Sequence, residues 1–205
     1  MIEYDDSELF EQDSLPKNLI IRYDNVTLTN SDFEIESFEL TENLCSEEDI
    51  VVGACESSKI KFRIVYGVAP LLDKVLTVSI LPQGATDELQ IGVFKVYSDK
   101  LAADRRYRDI EANDLMYDIL NADVISWYHT ILPQIDSTCT MKQFRDSFFT
   151  YFNITQETVT LVNDSMVITK TIDAEKLSGK DVITCICEAN GCFGHIGRNG
   201  KFKYI

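Results

Sequence analysis

Four residues near the C-terminus have the types that could do chemistry: Cys185, Cys187, Cys192 and His195. Their spacing is C-x-C-x4-C-x2-H. Zinc takes ligands that converge on a tetrahedron, and paired knuckles supply them at other spacings. Cys185 and Cys187 fall on a predicted helix, where two residues turn the side chain by about 200°. Their sulfurs diverge, so no metal site is expected. Cys192 with His195 is the second option, a nucleophile with its base. That needs a thiolate beside the imidazole and a third group to hold it. A strand over 192–196 puts the two at i and i+3, on opposite faces. No catalytic pair is expected either, and these cysteines read as buried structural side chains.

The carboxylates Asp104, Asp109, Asp114 and Asp118 are close in sequence. A glycosidase needs two carboxylates opposed across a cleft, one with a raised pKa. Spacing alone supplies no opposition, and Asp114 reads as first-turn helix charge. There is no P-loop and no G-x-G-x-x-G leading into a helix. Arg105, Arg106 and Arg108 form the one basic cluster. They serve either surface ion pairs or an acidic patch on a neighbouring subunit. We carry these three forward as candidate interface residues, and expect no catalytic, metal or cofactor site.

The elements around the cysteines are well marked. Ser178 is a good N-cap and Asp181 can close a capping box. Val182, Ile183, Ile186, Ala189 and Asn190 follow at helical spacing. Asn190-Gly191 ends the helix, since Gly adopts the left-handed conformation at little cost. Cys192 to Ile196 then reads as a strand, Asn199-Gly200 as a hairpin turn, and Lys201 to Ile205 as the return strand.

The chain has 205 residues, 45% of them hydrophobic, enough for a sizeable core. No apolar run reaches the ~18–20 residues of a membrane span, so no membrane insertion is expected. The first residues are acidic and unlike a signal peptide, which makes cytoplasmic synthesis the default expectation. Net charge is −15. Residues 1–49 carry 15 acidic and 2 basic side chains, against 19 and 17 in residues 50–205. Nucleic-acid binding needs a basic footprint, which is lacking. The acidic stretch either keeps the protein soluble or meets a basic partner. The six cysteines are scattered along a chain of this size, so no disulfide framework is implied.

Residues 1–16 read as a polar, flexible acidic arm. Residues 17–112 read as antiparallel strands. Leu19 to Tyr23 turns at Asp24-Asn25 into Val26 to Leu28. Glu34 to Leu40 alternates, with Phe38 and Leu40 on one side and Ile35 apart. Lys59 to Ile64, Val75 to Leu81, Leu89 to Tyr97 and Tyr107 to Ala112 continue the pattern. Gly84 marks a turn and Gly92 a bulge. A barrel or sandwich is expected.

Residues 113–205 change character. Leu115, Met116, Ile119 and Leu120 form one helical face. Val124, Ile125, Tyr128 and Leu132 form a second, before Pro133. Thr140 with Gln143 caps a third helix, whose Met141, Phe144, Phe148, Tyr151 and Phe152 form a stripe. Val159 to Val162 and Ser165 to Ile168 read as short strands. The fold class is therefore α+β: an N-terminal antiparallel β barrel-like domain, then a mixed α/β domain ending in helix plus β-hairpin. No Gly/Ser-rich linker separates the two.

The helix–"GxFGHI"–"NGKFKYI" pattern of 177–205 resembles phage tail hub proteins, including the N-terminal region of tail-associated lysins. "FELTENLCSEEDIVVGACESSKIKFRI", Phe38 to Ile64, looks like the N-terminal barrel segment of prophage tail proteins of low-GC Gram-positive bacteria. "GVFKVYSDKLAADRRYRDIEANDLMYDI" fits the join between barrel and helical block, and "MKQFRDSFFTYFNI" the helix within it. The order of elements carries the resemblance. In that family the chain continues into a second barrel and a further mixed domain. This one stops straight after a strand, so the resemblance implies a fragment.

The resemblance implies a structural role in the tail-tip hub or baseplate ring, joining tube to tip, in the virion tail. It implies a trimeric ring and neighbouring tail proteins as partners, and no enzyme activity in this chain. In the family, wall hydrolysis lies in a separate C-terminal region. Two rivals are a fragment of a tail-associated cell-wall hydrolase and a wall-carbohydrate binding module. A sugar binder needs an exposed aromatic platform. Trp127, Tyr128 and Tyr151 are the candidates, though helical spacing favours core positions for the two tyrosines.

Overall fold

The computed structural model describes residues 16–205 except 44, 46–50, 136, 137, 174 and 176. The acidic arm 1–16 therefore lies outside the described residues, save for Pro16. The chain divides into two compact units. The first comprises 1–41 and 59–114, and the second 42–58 and 115–205. One cut near residue 112 does not describe this, because residues 42–58 belong to the second unit.

The first unit is a barrel-like antiparallel sheet. Its strands are β1 (Lys17–Tyr23), β2 (Val26–Leu28), β3 (Phe33–Thr41), β4 (Lys59–Val65), β5 (Val75–Pro82), β6 (Leu89–Leu101) and β7 (Tyr107–Asn113). The order is β2-β1-β5-β6-β7-β4-β3. Period-two alternation builds its core. Ile60, Phe62 and Ile64 of β4 point inward with Leu76, Val78, Phe94, Val96 and Ile110, while Lys61 and Val65 face outward. Register shifts bend the sheet between Glu34 and Glu39, between Val78 and Ser79, and between Val96 and Ser98. The second lies opposite Gly92 and Gln90, where the glycine marks a bulge. Asp24 turns the β1–β2 hairpin with φ 48°, and Gly84 sits in the turn before β6.

The second unit carries α1 (Leu115–Leu120), α2 (Ile125–Ile131), a 3-10 turn at Leu132–Gln134, α3 (Met141–Tyr151), α4 (Gly179–Asn190), β8 (Gly194–Ile196) and β9 (Phe202–Tyr204). Both expected capping boxes form, at Thr140/Gln143 and at Ser178/Asp181. Gly191 ends α4 with φ 67°. In the β8–β9 hairpin the Gly197 N–H bonds Lys201 O, leaving a three-residue connection with Gly200 at φ 77°. Ser178→Ala should lower stability by about 1 kcal/mol, read by thermal unfolding. The Asp181 carboxyl is held below its usual range by hydrogen bonds from the Ser178 side chain and backbone. Its stabilising contribution is present above the unfolded-state pKa and is lost as pH falls through the lower folded value.

The core of this unit is aromatic. Trp127 is fully buried, with Phe144 and Phe148 both 5.1 Å away in edge-on geometry. Three sequence expectations are corrected. The buried face of the second helix is Val124, Trp127, Tyr128 and Ile131, a strict i, i+3, i+4, i+7 set, and Ile125 is exposed. The α3 stripe uses Arg145 and Phe149, and Tyr151 points out. Residues 159–162 and 165–168 form no strands; Val167 makes only an isolated bridge, to Thr140. The reason lies in Asn163 and Asp164, whose side chains compete with a ladder. Asp164 Oδ2 accepts the Leu161 N–H at 2.9 Å, and Asn163 bonds Ala189 O and, through its N–H, Asn190 Oδ1.

Candidate functional site

The C-terminal cysteines do not converge with His195. Cys187 is buried on α4 as expected, but Cys185 is exposed, which corrects the reading of all these cysteines as buried: divergence around the helix puts only one of the two on the core face. Cys192 precedes β8 instead of lying on it, and its Sγ donates to Cys187 O at 3.5 Å. His195 lies half-buried on β8, by a shallow polar depression with Glu157, Arg198 and Lys203. Among the described residues no three or more His, Cys, Asp or Glu side chains are grouped to hold a metal. The neighbour of Cys187 is Cys55, Sγ to Sγ 3.7 Å, from the 42–58 segment. Sequence reasoning missed that pair, since nothing local links residues 132 apart.

The four aspartates are dispersed. Asp104 accepts the Arg106 N–H in the β6–β7 turn, and Asp109 on β7 pairs with Arg63 Nε at 2.9 Å. Asp114 is buried just before α1, one residue ahead of the first turn where the sequence placed it. Asp118 belongs to the second unit. Of the aromatic platform candidates, Trp127 and Tyr128 are buried, and Trp127 Nε1 donates to Ser147 at 3.0 Å. Tyr151 alone of the three is exposed.

The arginine cluster splits. Arg108 is buried and anchored: Nη1 donates to Asp99 at 2.8 Å, and Nη2 to Val68 O and Ala69 O. It holds the β4–β5 loop and is no part of a surface patch. Arg105, with φ 58°, and Arg106 stay exposed on the β6–β7 turn. The Arg106 carbonyl accepts the Tyr66 N–H at 2.9 Å, which places an exposed tyrosine beside the two arginines. Tyr66 is 60% exposed and Leu101, paired with Arg108 at the strand end, 50%. Val65 lies opposite Tyr107 on the same end. Tyrosine and arginine beside apolar neighbours are the side chains that anchor protein–protein contacts. The signal in the sequence was alternation, which puts Val65 on the outer face with Lys61 and Arg63.

The outer face beside this end is an ion-pair lattice. Arg63 bridges Glu34 and Asp109, and Glu111 takes Lys59 at 2.7 Å. The Lys59 ammonium holds the Glu111 carboxyl below its usual range. These charges compensate one another, whereas Arg105 and Arg106 make no ion pair among the described residues. At the sheet's far ends, β2 and β3 are edge strands. The nine-residue β3 exposes Glu36 and Glu39, charges that guard an edge against indiscriminate pairing. A further apolar cleft of about 500 Å3 lies within the second unit, lined by Tyr128, Met141, Phe144, Ile168 and Val182.

No protein-family model matches the sequence, and neither does any curated protein. Solved structures do match. The 43 kDa tail protein of prophage MuSo2 from Shewanella oneidensis aligns with a TM-score of 0.59 at 11% identity, over 92% of this chain and 55% of that one. A tail protein from Neisseria meningitidis MC58 aligns at 0.54 and 9% identity, over 92% and 50%. Prophage tail protein gp18 from Listeria monocytogenes EGD-e aligns at 0.50 and 16% identity, over 91% and 50%. This chain thus has the fold of prophage tail proteins, and spans about half the length of those it matches. The three sources give no preference for Gram-positive hosts.

Proposed function

We propose that this chain, folded like prophage tail proteins, is a structural part of a phage or prophage tail tip. In this reading it is a subunit of the hub or baseplate ring that joins tube to tip. The observation that carries the reading is the likeness over more than nine-tenths of the chain, through both units. Its partners are copies of itself in a trimeric ring and the neighbouring tail proteins. It is made in the bacterial cytoplasm and ends in the virion tail. No helix of the described residues is long and apolar enough to cross a membrane. The role asks for contact surfaces and no catalytic centre. The first unit offers two edge strands and the Tyr66–Arg105–Arg106 end, and a symmetric ring uses such surfaces between copies. The burial of Trp127 removes the main support for a wall-sugar platform.

Assembly through this end should be sensitive to salt. Like-charged subunits with a net charge of −15 repel unless basic groups face acidic ones across the contact. Screening shortens to about 8 Å at physiological ionic strength. Sedimentation of wild type and of Arg105→Glu/Arg106→Glu, at low and high salt, tests this. The expected result is an oligomer that weakens with salt and weakens further in the double variant. An oligomer indifferent to both changes contradicts the assignment of these arginines.

A further inference from the structure

We propose that Cys55 and Cys187 are a peroxide-responsive thiol pair, which closes to a disulfide once the protein leaves reducing surroundings. The two sulfurs lie 3.7 Å apart, each almost fully buried in the second unit. A disulfide needs about 2.05 Å, so rotation of the side chains with a small shift brings them together. The site is shaped around the Cys55 sulfur. A Cβ on Gly194 would lie 2.5 Å from it, so only glycine lets the chain pass there. The backbone is set by Gly194 N–H to Ala54 O at 3.2 Å and Gly53 N–H to Cys192 O at 3.0 Å. Cys192 also neighbours the Cys187 thiol, but its sulfur donates to the Cys187 carbonyl at 3.5 Å, whereas that of Cys55 contacts the Cys187 sulfur at 3.7 Å.

The pair is also chemically unequal. Contact with the Cys187 side chain holds the Cys55 thiol below its ordinary value against the opposing effect of burial, and the Gly194 N–H adds to the lowering. That same contact and burial push Cys187 up. In this proposal Cys55 is the nucleophile: the direction of its shift favours the thiolate, which is the reactive form. It attacks one oxygen of hydrogen peroxide, the O–O bond breaks, and hydroxide leaves and takes a proton as water. The resulting sulfenic acid is then attacked by Cys187, whose proton leaves with the hydroxyl as a second water. Two thiols are oxidised and one peroxide is reduced. Peroxide is small enough to enter through local opening of the unit. The cross-link would tie the 42–58 segment covalently to α4, beside the backbone hydrogen bonds that join residues 53 and 54 to the 192–194 chain. This inference concerns the second unit alone and does not depend on the ring.

The test treats folded, reduced protein with hydrogen peroxide, quenches it, and maps thiols and links by mass spectrometry without reductant. Before treatment all six cysteines should titrate as free thiols. After it, peptides carrying residues 55 and 187 should be linked, the melting temperature should rise, and dithiothreitol should reverse both. In Cys187→Ser the sulfenic acid should persist on Cys55 and be trapped by dimedone. A link between Cys187 and Cys192 overturns the proposal. So does oxidation confined to Cys45 and Cys185 while Cys55 stays reduced. The wild-type map decides even if the variant does not fold.

Discussion

Phe148→Ala will destabilise the second unit by about 3–5 kcal/mol. The ring is fully buried at the centre of the aromatic cluster. Trp127 lies 5.1 Å from it, Phe149 5.6 Å and Phe152 5.0 Å, in edge-on or tilted arrangements. Truncation removes the buried surface and leaves a cavity that three rigid neighbours cannot fill. Phe144 has the same contact with Trp127 but lines the apolar cleft, so Phe144→Ala should fall at the low end of that range. The chain's single tryptophan sits in this cluster, so its fluorescence in a denaturant titration reads the unit directly. A loss below about 1 kcal/mol for Phe148→Ala would mean that the ring is no core residue.

Asp99→Ala will destabilise the first unit by about 3–5 kcal/mol, the usual effect of removing one partner of a buried ion pair. The carboxylate and Arg108 meet at 2.8 Å with side chains 4% and 8% exposed. The same oxygen, Oδ2, accepts the Leu71 N–H at 2.7 Å. Without it the guanidinium stays buried among Val68 and Ala69 carbonyls with no countercharge. Replacing both residues, as Asp99→Leu/Arg108→Met, should recover part of the loss, because no charge is then stranded. Amide exchange along β6 and β7 reports on this unit without the tryptophan. A single variant as stable as wild type would show that the pair carries no weight.

What was legible in the sequence was local. Both capping boxes, the Gly191 stop and every strand of the first unit follow from short-range spacing and side-chain chemistry. Errors arose where tertiary contacts chose among locally equal options. Trp127 and Ile131 complete the buried face of α2 because the aromatic cluster needs them, while Ile125 fits the same helix on its solvent side. Arg145 entered the stripe because Asp164 lies 3.3 Å from its guanidinium. The apolar runs at 159–168 carry strand propensity, but Asn163 and Asp164 spend their side chains on α4 and on the turn. Arg108 looked like its neighbours Arg105 and Arg106, and its partner Asp99 is fixed by the β6–β7 register, which no spacing reveals. The Cys55–Cys187 contact and the passage of 42–58 into the second unit are long-range for the same reason.

The central claim is that this protein is built into a phage tail at its tip. Immunogold electron microscopy of purified phage particles, with antibody raised against this chain, tests it most directly. Label should gather at the end of the tail distal to the head. Label on the capsid, or particles that carry none while the protein stays in the cell lysate, would contradict the account.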